Sequence, residues 1–476
     1  LDGILVWCVW KKKKLKSDQT TTIKKENICL LCASLVLLVF QFVVIWNAVF
    51  RTAWDPGAVW YGAHFVELGD LDGINSMAYY FSVYPNNLLL VWIYSVVLKL
   101  NDVIGAPIAN GTMLLALFQC VFVTGAGACL YKTVRHFADQ KIAWIAYGFY
   151  FILGGLSAWI MIPYSDSTGI IFPIFLFYLS VKIKETESVK KRCMLLFFLF
   201  FFCYIGFEIK PMAAIVVIAI VAVEGIHFAG RLLKKQSVWK KSLLAYCLAA
   251  VLGLGAAAGG VSAVVGSMHF PVVTDTVLGW QHHMMLGLNK DTNGGYSQAD
   301  FDYSTSFSSA EEQHAAELKE IGKRLKDFGV GGYLQHFVKK SARNYFDGCF
   351  GWGGLGENFY TEIFPERGTV LCSLIRSLYY DNTEDTLYRY QALFRQILWY
   401  MVLVLVPFSV FTKRPLDKKR QVAVLSVLGL MLYLQIFEAH ARYLYTFVPI
   451  FVFLATEGID NLREYLNQKS ERRVKK

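Results

Sequence analysis

The chain has 476 residues, of which 55% are hydrophobic and 17% charged, and its formal net charge is +11. A soluble globular chain carries roughly 25% charged residues, and here the deficit has a place: long apolar runs alternate with short basic clusters. The pattern excludes an ordinary soluble domain. It also excludes nucleic acid as the partner of the positive charge, because the Lys and Arg residues cap apolar runs rather than forming a stripe.

The decapeptide Leu1–Trp10 is mostly apolar, and Lys11–Lys14 follow it. It is too short to span a bilayer and has the wrong charge order for a signal peptide, so a misplaced or alternative start codon is expected. A membrane-crossing helix needs ~20 mostly apolar residues, since every backbone N–H and C=O has to be satisfied within the segment. Apolar segments run over 28–50, 84–103, 107–131, 142–162, 168–183, 193–209, 211–229, 242–267, 392–411, 421–437 and 443–457. The expected fold class is all-α: a polytopic membrane protein with about 10–11 hydrophobic segments.

Basic linkers lie at Lys11–Lys25, Lys132–Lys141, Lys182–Arg192, Arg231–Lys241, Lys413–Arg420 and Arg463–Lys476. The positive-inside rule puts them in the cytoplasm. The division expected is a cytoplasmic segment 1–27, a membrane module 28–267 with a first outer loop 51–83, an extracytoplasmic insertion 268–391, C-terminal membrane helices 392–457 and a cytoplasmic tail 458–476. One conflict arises. An odd number of crossings has to separate loop 51–83 from Lys132, yet two apolar segments intervene. The shorter one opens with Tyr84-Pro85-Asn86-Asn87 and is expected to be partial or re-entrant; the alternative is that Lys132–Lys141 lies outside, against the charge rule.

In the insertion, Ser308/Ser309 with Glu311/Glu312 three residues on predict a capped helix through about Phe328. A second helix over 331–346, with Tyr333, Phe337, Tyr345, Lys339, Lys340 and Arg343, reads as an amphipathic helix lying on the membrane surface. Most of the ten cysteines fall inside apolar runs and act as small hydrophobes; Cys349 and Cys372 lie in a polar region and are the one pair that could bridge.

Charged groups near a bilayer are costly and point to function by default. The outer edge collects Asp55, Glu67, Asp70 and Asp72, then Asp166 in Pro163-Tyr164-Ser165-Asp166, Lys210 before Pro211, and Glu438, His440 and Arg442 before Tyr443. Carboxylates with isolated cations at one face suit a reaction needing a base and a phosphate clamp. No metal or cofactor is expected. Asp70-Leu71-Asp72 matches the Asp-x-Asp of nucleotide-sugar transferases but lies outside, His282-His283 has no third ligand near, and the glycine run Gly351–Gly356 has no strand before it.

At these residues the chain resembles the GT-C superfamily of membrane glycosyltransferases, in the bacterial branch of protein-O-mannosyltransferase-like and aminoarabinose-transferase-like enzymes. The motifs that carry the resemblance are Trp54-Asp55-Pro56 after the first helix, Tyr84-Pro85-Asn86-Asn87, Asp166, Lys210, and Glu438 with Arg442-Tyr443. Where the aminoarabinose enzymes have Lys-Pro-Pro, this chain has Tyr84-Pro85-Asn86. The resemblance implies an inverting transfer from a polyprenyl-phosphate sugar to a cell-envelope glycan or a lipid-linked acceptor at the outer face of the cell membrane. It implies Asp55 as catalytic base, with Tyr84, Asn86, Asp166, Lys210, Glu438, Arg442 and Tyr443 binding substrate. The alternatives are a flippase or transporter of lipid-linked glycans, and a glycan polymerase or ligase. A transporter is expected to show internal repeats and mid-membrane charges, and neither stands out.

Overall fold

The computed structural model describes residues 2–104, 111–234, 242–353, 360–363, 367–380, 387–411 and 416–474. Parts of three basic linkers and of the glycine run 351–356 lie outside the described residues. Helix α1 spans Asp2–Ala48 and leads into strand β1, Phe50–Thr52. The first loop then folds as α2 (Trp54–Leu68), α3 (Leu71–Ser76), α4 (Ala78–Val83) and α5 (Leu88–Ile104). The membrane module continues through α6 (Gly111–Phe137), α7 (Gln140–Tyr150), α8 (Ser165–Gly169), α9 (Ile171–Glu185), α10 (Val189–Ile209), α11 (Ala214–Leu233) and α12 (Ser242–Gly266). The insertion holds α13 (Trp280–Gly287), α14 (Gln298–Thr305), α15 (Ala310–Tyr345), strand β2 (Tyr360–Ile363) and α16 (Val370–Tyr379). Three long helices close the chain: α17 (Tyr388–Leu405), α18 (Lys418–Ile436) and α19 (Val448–Val474).

Among the described residues nine segments are long and apolar enough to cross a membrane: Lys24–Ala48, Gly111–Phe137, Ser165–Glu185, Val189–Ile209, Pro211–Leu233, Ser242–Gly266, Tyr388–Ser409, Lys418–Ile436 and Ala441–Gln468. The chain is an all-α, multi-pass membrane protein. Helices α9 and α19 form the bundle's centre, while α10 and α12 turn Met194, Phe198, Leu244, Leu248 and Val251 outward, as lipid-facing surface. The two pack backbone to backbone: a Cβ at Gly253 would strike the Phe197 carbonyl.

The crossing conflict resolves in the first loop. Helix α5 has 17 residues and is not among the nine spans. Its Val91 lies against Gly62 of α2, and its Leu98 lies against Gly111 at the start of α6. Both its ends therefore stay at the end of the bundle where α6 begins, and α6 alone crosses between residues 51 and 131.

The segment 142–162, expected to be one continuous span, is interrupted. Helix α7 passes at Phe151–Gly155 into a π turn, and Ala158–Met161 follows as a 3₁₀ turn. It still carries the chain across. Glu26 at the start of the first span accepts hydrogen bonds from Tyr131 and Arg135, both 2.9 Å, and Asp139 accepts one from Arg463 of α19 at 3.3 Å. The start of the first span and the end of the last thus share one side, which needs an even number of crossings; among the described residues the interrupted segment makes the nine spans ten. Irregular backbone is tolerated at membrane depth only inside protein, and polar side chains meet its carbonyls here. Gln41 donates to Gly155 O at 2.7 Å, and Gln119 to Ile160 O and Ile162 O at 2.8 Å each. Tyr445 donates to Gly154 O at 2.9 Å, Tyr379 to Leu156 O at 3.0 Å, and Arg395 to Leu153 O and Leu156 O.

Strand β1 pairs antiparallel with β2, which ties the first loop to the insertion. The capped helix begins where its sequence signature falls: the Ser309 hydroxyl accepts from the Glu312 N–H. It breaks at Gly329, whose φ of 55° and ψ of −177° favour glycine. Beyond the break the helix has an exposed apolar face, as an amphipathic helix does, but part of its polar face is buried. Val330, Leu334, Phe337 and Val338 are exposed, whereas His336, Lys340 and Asn344 are buried. The polar stripe faces the protein because the segment after α18 offers it backbone acceptors. Cys349 and Cys372 are not joined; the Cys372 thiol faces Asn47 O at 3.5 Å.

Candidate active site

Two groups of polar residues meet at the end of the bundle where α1 and α10 end and where α2 and α8 begin. The first centres on Asp55, in the opening turn of α2. That turn follows Trp54, whose φ of 58° lies in the left-handed region that a tryptophan rarely adopts. Tyr80 donates to Asp55 Oδ1 at 2.9 Å, and Asn87 donates to the Tyr80 hydroxyl at 2.9 Å. The Tyr164 hydroxyl stands 3.4 Å from both Asp55 Oδ2 and Asn87 Oδ1. Burial and the nearby Asp55 carboxylate hold the Tyr80 and Tyr84 phenols well above the usual tyrosine range, so both remain hydrogen-bond donors.

The second group is buried. Lys210, between α10 and the turn at Pro211, donates to Asp166 Oδ1 at 2.6 Å. Arg442 brings Nε to 3.4 Å from Asp166 Oδ2. Asp166 and Lys210 are only 2% and 7% exposed. Two basic side chains thus share one carboxylate in a desolvated place, where burial lowers the Lys210 pKa and Asp166 opposes it. Aromatic faces line it: Lys210 Nζ lies 4.9 Å from the Tyr443 ring centre and 6.0 Å from that of Tyr164. The Arg442 guanidinium lies 5.6 Å from the ring centre of Trp159 and 5.8 Å from that of Tyr164. Tyr164 therefore belongs to both groups, its hydroxyl facing Asp55 and its ring facing the cations.

The turn 437–443 adds a third side. Tyr443 donates to Glu438 Oε2 at 2.9 Å, and the His440 ring nitrogen accepts from the Arg442 N–H at 3.2 Å. Burial, with Arg442, Arg343 and Lys210 beside it, drives His440 well below the usual histidine range and keeps it neutral. The insertion supplies the roof. Burial lowers the pKa of His283, while the Glu438, Glu317 and Asp55 carboxylates act on it in the opposite sense; Tyr296 senses Asp55 and Glu438 as well.

Of the residues singled out in the sequence, the structure joins Asp166, Lys210, Arg442, Tyr443 and Glu438 in one chain of contacts, and Tyr164 links them to Asp55. Tyr84 stands close enough for Asp55 and Glu438 to raise its pKa. Asn86 is exposed, and its neighbour Asn87 enters the network instead. Asp70 caps α3, accepting from the Gly73 N–H at 3.0 Å. Glu67 accepts from or shares a proton with His64 at 2.8 Å, away from the site. Tyr80 carries no sequence motif; Asn87 and Tyr164 lie inside the motifs Tyr84-Pro85-Asn86-Asn87 and Pro163-Tyr164-Ser165-Asp166 without being singled out as site residues, and His283 stands out in the sequence only as a candidate metal ligand. Among the described residues no cluster of three His, Cys, Asp or Glu side chains could hold a metal ion.

No curated protein matches the chain. Two solved structures of the archaeal oligosaccharyltransferase from Archaeoglobus fulgidus resemble it. One, in complex with an inhibitory peptide and a dolichol-phosphate, is 12% identical over 92% of this chain and 51% of its own, with a TM-score of 0.43. The other, in the apo form, is 13% identical over 93% and 52%, with a TM-score of 0.42. The chain spans about half the length of either. A family described as "Conserved hypothetical integral membrane protein" matches residues 2–461, nearly the whole sequence, and the chain belongs to that family.

Proposed function

We propose that this protein is a membrane glycosyltransferase that moves a sugar from a polyprenyl-phosphate donor to a cell-envelope acceptor at the extracytoplasmic face. The observation that carries the reading is the joint position of Tyr164, between a hydrogen-bonded carboxylate and a desolvated pair of cations. A carboxylate beside a cationic cradle is what transfer from a phosphate-linked sugar requires. Asp55 takes the proton of the acceptor hydroxyl, whose oxygen attacks the anomeric carbon from the face opposite the phosphate. The bond from the anomeric carbon to the phosphate oxygen breaks, its electron pair leaves with the lipid phosphate, and the configuration inverts. Lys210 and Arg442 stabilise the charge that grows on that phosphate, Lys210 as a point charge and Arg442 through a planar fork of donors. Tyr80 and Asn87 hold the Asp55 carboxylate in place.

The test uses purified full-length protein in vesicles containing a polyprenyl-phosphate sugar. Transfer is expected from that donor and not from a nucleotide sugar. Asp55→Asn is expected to express normally and to lose roughly 10²–10⁴-fold in rate, the usual contribution of a base. An active Asp55→Asn protein removes Asp55 from the mechanism. Transfer from a nucleotide sugar alone overturns the donor, and sugar crossing the vesicle without a new glycosidic bond replaces the enzyme with a flippase.

A further inference from the structure

Lys340 is fully buried, yet its ammonium group has three acceptors, all of them main-chain carbonyls: Gly287 O at 2.8 Å, Gln435 O at 2.9 Å and Phe437 O at 2.7 Å. Gly287 is the last residue of α13; Gln435 and Phe437 end and cap α18. One cation therefore closes the C-terminal ends of two helices, where unpaired carbonyls and the negative ends of both dipoles favour it. The surroundings are built around it. His336 Nε2 lies 2.9 Å from the same Gly287 O, and the Ala439 N–H donates to Gly294 O at 2.6 Å. Arg343 donates to Ala439 O at 3.3 Å, and Gln435 to Ser341 Oγ at 2.8 Å. Gly294, with φ of 79°, leaves no room for a side chain, since a Cβ there would stand 2.7 Å from Lys340 Cε.

The chain that leaves α18 at this knot carries Glu438, His440 and Arg442. We propose that Lys340 is a positioning residue, whose three hydrogen bonds fix the turn that presents Glu438 and Arg442 to the site. Its catalytic consequence rests on the proposed donor reading; its structural half does not. An ammonium group has three N–H donors and a neutral amine has two, so the knot is complete only in the charged form. The charged and titratable groups facing it are His336, Lys339 and Arg343 on its own helix, His283 on α13, and Glu438 and His440 on the turn. Burial pushes Lys340 down to about 7, with Glu438 opposing. Below that value the turn is held, and it loosens as pH rises through it. Stability moves the other way: the unfolded chain keeps this proton up to the ordinary lysine range, so between the two values the unfolded state binds more protons and the fold gains as pH rises.

Hydrogen exchange over 435–447 tests this in the full-length protein in detergent, corrected for intrinsic exchange rates. The same samples are titrated with a polyprenyl phosphate alone. Wild type is expected to exchange about tenfold faster in this segment at pH 9 than at pH 6, without a fall in melting temperature. Lys340→Met is expected to exchange fast at both pH values and to bind the lipid phosphate about tenfold more weakly. Lys340→Arg, which stays charged, is expected to keep its protection at pH 9. Equal protection of wild type and Lys340→Met at pH 6 overturns the inference. Should Lys340→Met not fold, unchanged wild-type protection between pH 6 and pH 9 overturns it. A wild type that binds no polyprenyl phosphate refutes the donor assignment, and exchange still decides on Lys340.

Discussion

Asp166 stands between two cations and hydrogen-bonds only one of them well: Lys210 at 2.6 Å, with Arg442 at 3.4 Å. Removing a shared carboxylate from a buried place takes the nearest counter-charge from two like charges, and breaking such a pair costs about 3–5 kcal/mol. Asp166→Ala is accordingly expected to lower the melting temperature and the yield of folded protein. Lys210→Met leaves Asp166 with Arg442 and is expected to melt near wild type, while weakening use of the donor more than use of the acceptor. Thermal unfolding of the two variants in one detergent separates the roles, and equal melting temperatures would refute the shared-charge account. The same residues show what a sequence discloses. Asp55, Asp166, Lys210 and Arg442 stand out because a charge among apolar residues is rare. Tyr80 and Tyr164 do not, since the chain has 26 tyrosines and most of them need only packing to explain them. Lys340 was hidden in a different way: a lysine among Lys339 and Arg343 reads as a solvated face, and only tertiary contacts turn that face inward.

At the scale of the element, the interrupted crossing between Gln140 and Ser165 places Asp166. Its Gly154-Gly155 pair and Pro163 are visible in the sequence, but the apolar run around them looks like any other span. What makes the break affordable lies elsewhere in the chain, on Gln41, Gln119, Tyr379, Arg395 and Tyr445, and no local pattern reveals it. Arg395 is only 4% exposed and serves the carbonyls of Leu153 and Leu156. Arg395→Met fills similar volume, withdraws the guanidinium from Leu153 O and leaves Leu156 O with Tyr379 alone, at roughly 1–3 kcal/mol for an unsatisfied buried group. The expected result is a lower melting temperature and increased exchange over 151–162, and unchanged exchange there would refute Arg395's part in holding the break. The helix break at Gly329 was legible, by contrast, because its glycine and the cap at Ser309 are local signals.

For the whole molecule, the start of the first span and the end of the last share one side, and the basic linkers are expected to face the cytoplasm. In an otherwise cysteine-free protein, a cysteine at Glu187 is expected to be shielded from an impermeant thiol reagent in intact cells, and one at Ser306 to be labelled. Both positions are exposed. Labelling at Glu187 in sealed cells would invert the orientation and move the proposed chemistry to the other face. The membrane class was legible throughout, because hydrophobic length is a direct physical requirement. The crossing number was legible only through the charge rule, which marked 84–103 as partial, since α5 is apolar enough by itself to resemble a span.

The first membrane helix ends on carbonyls that are met very late. Asn47 O accepts from Arg376, 329 positions further on, and Ala48 O accepts from Tyr380, 332 positions on. The adjoining strand β1 likewise pairs with β2. At ~5–20 residues per second of synthesis, the start of the first loop waits on the order of tens of seconds before its partners exist. Asp55 follows directly, so the segment that carries it is made early and anchored late. A chain halted before residue 360 holds most of its membrane helices but cannot close this seam.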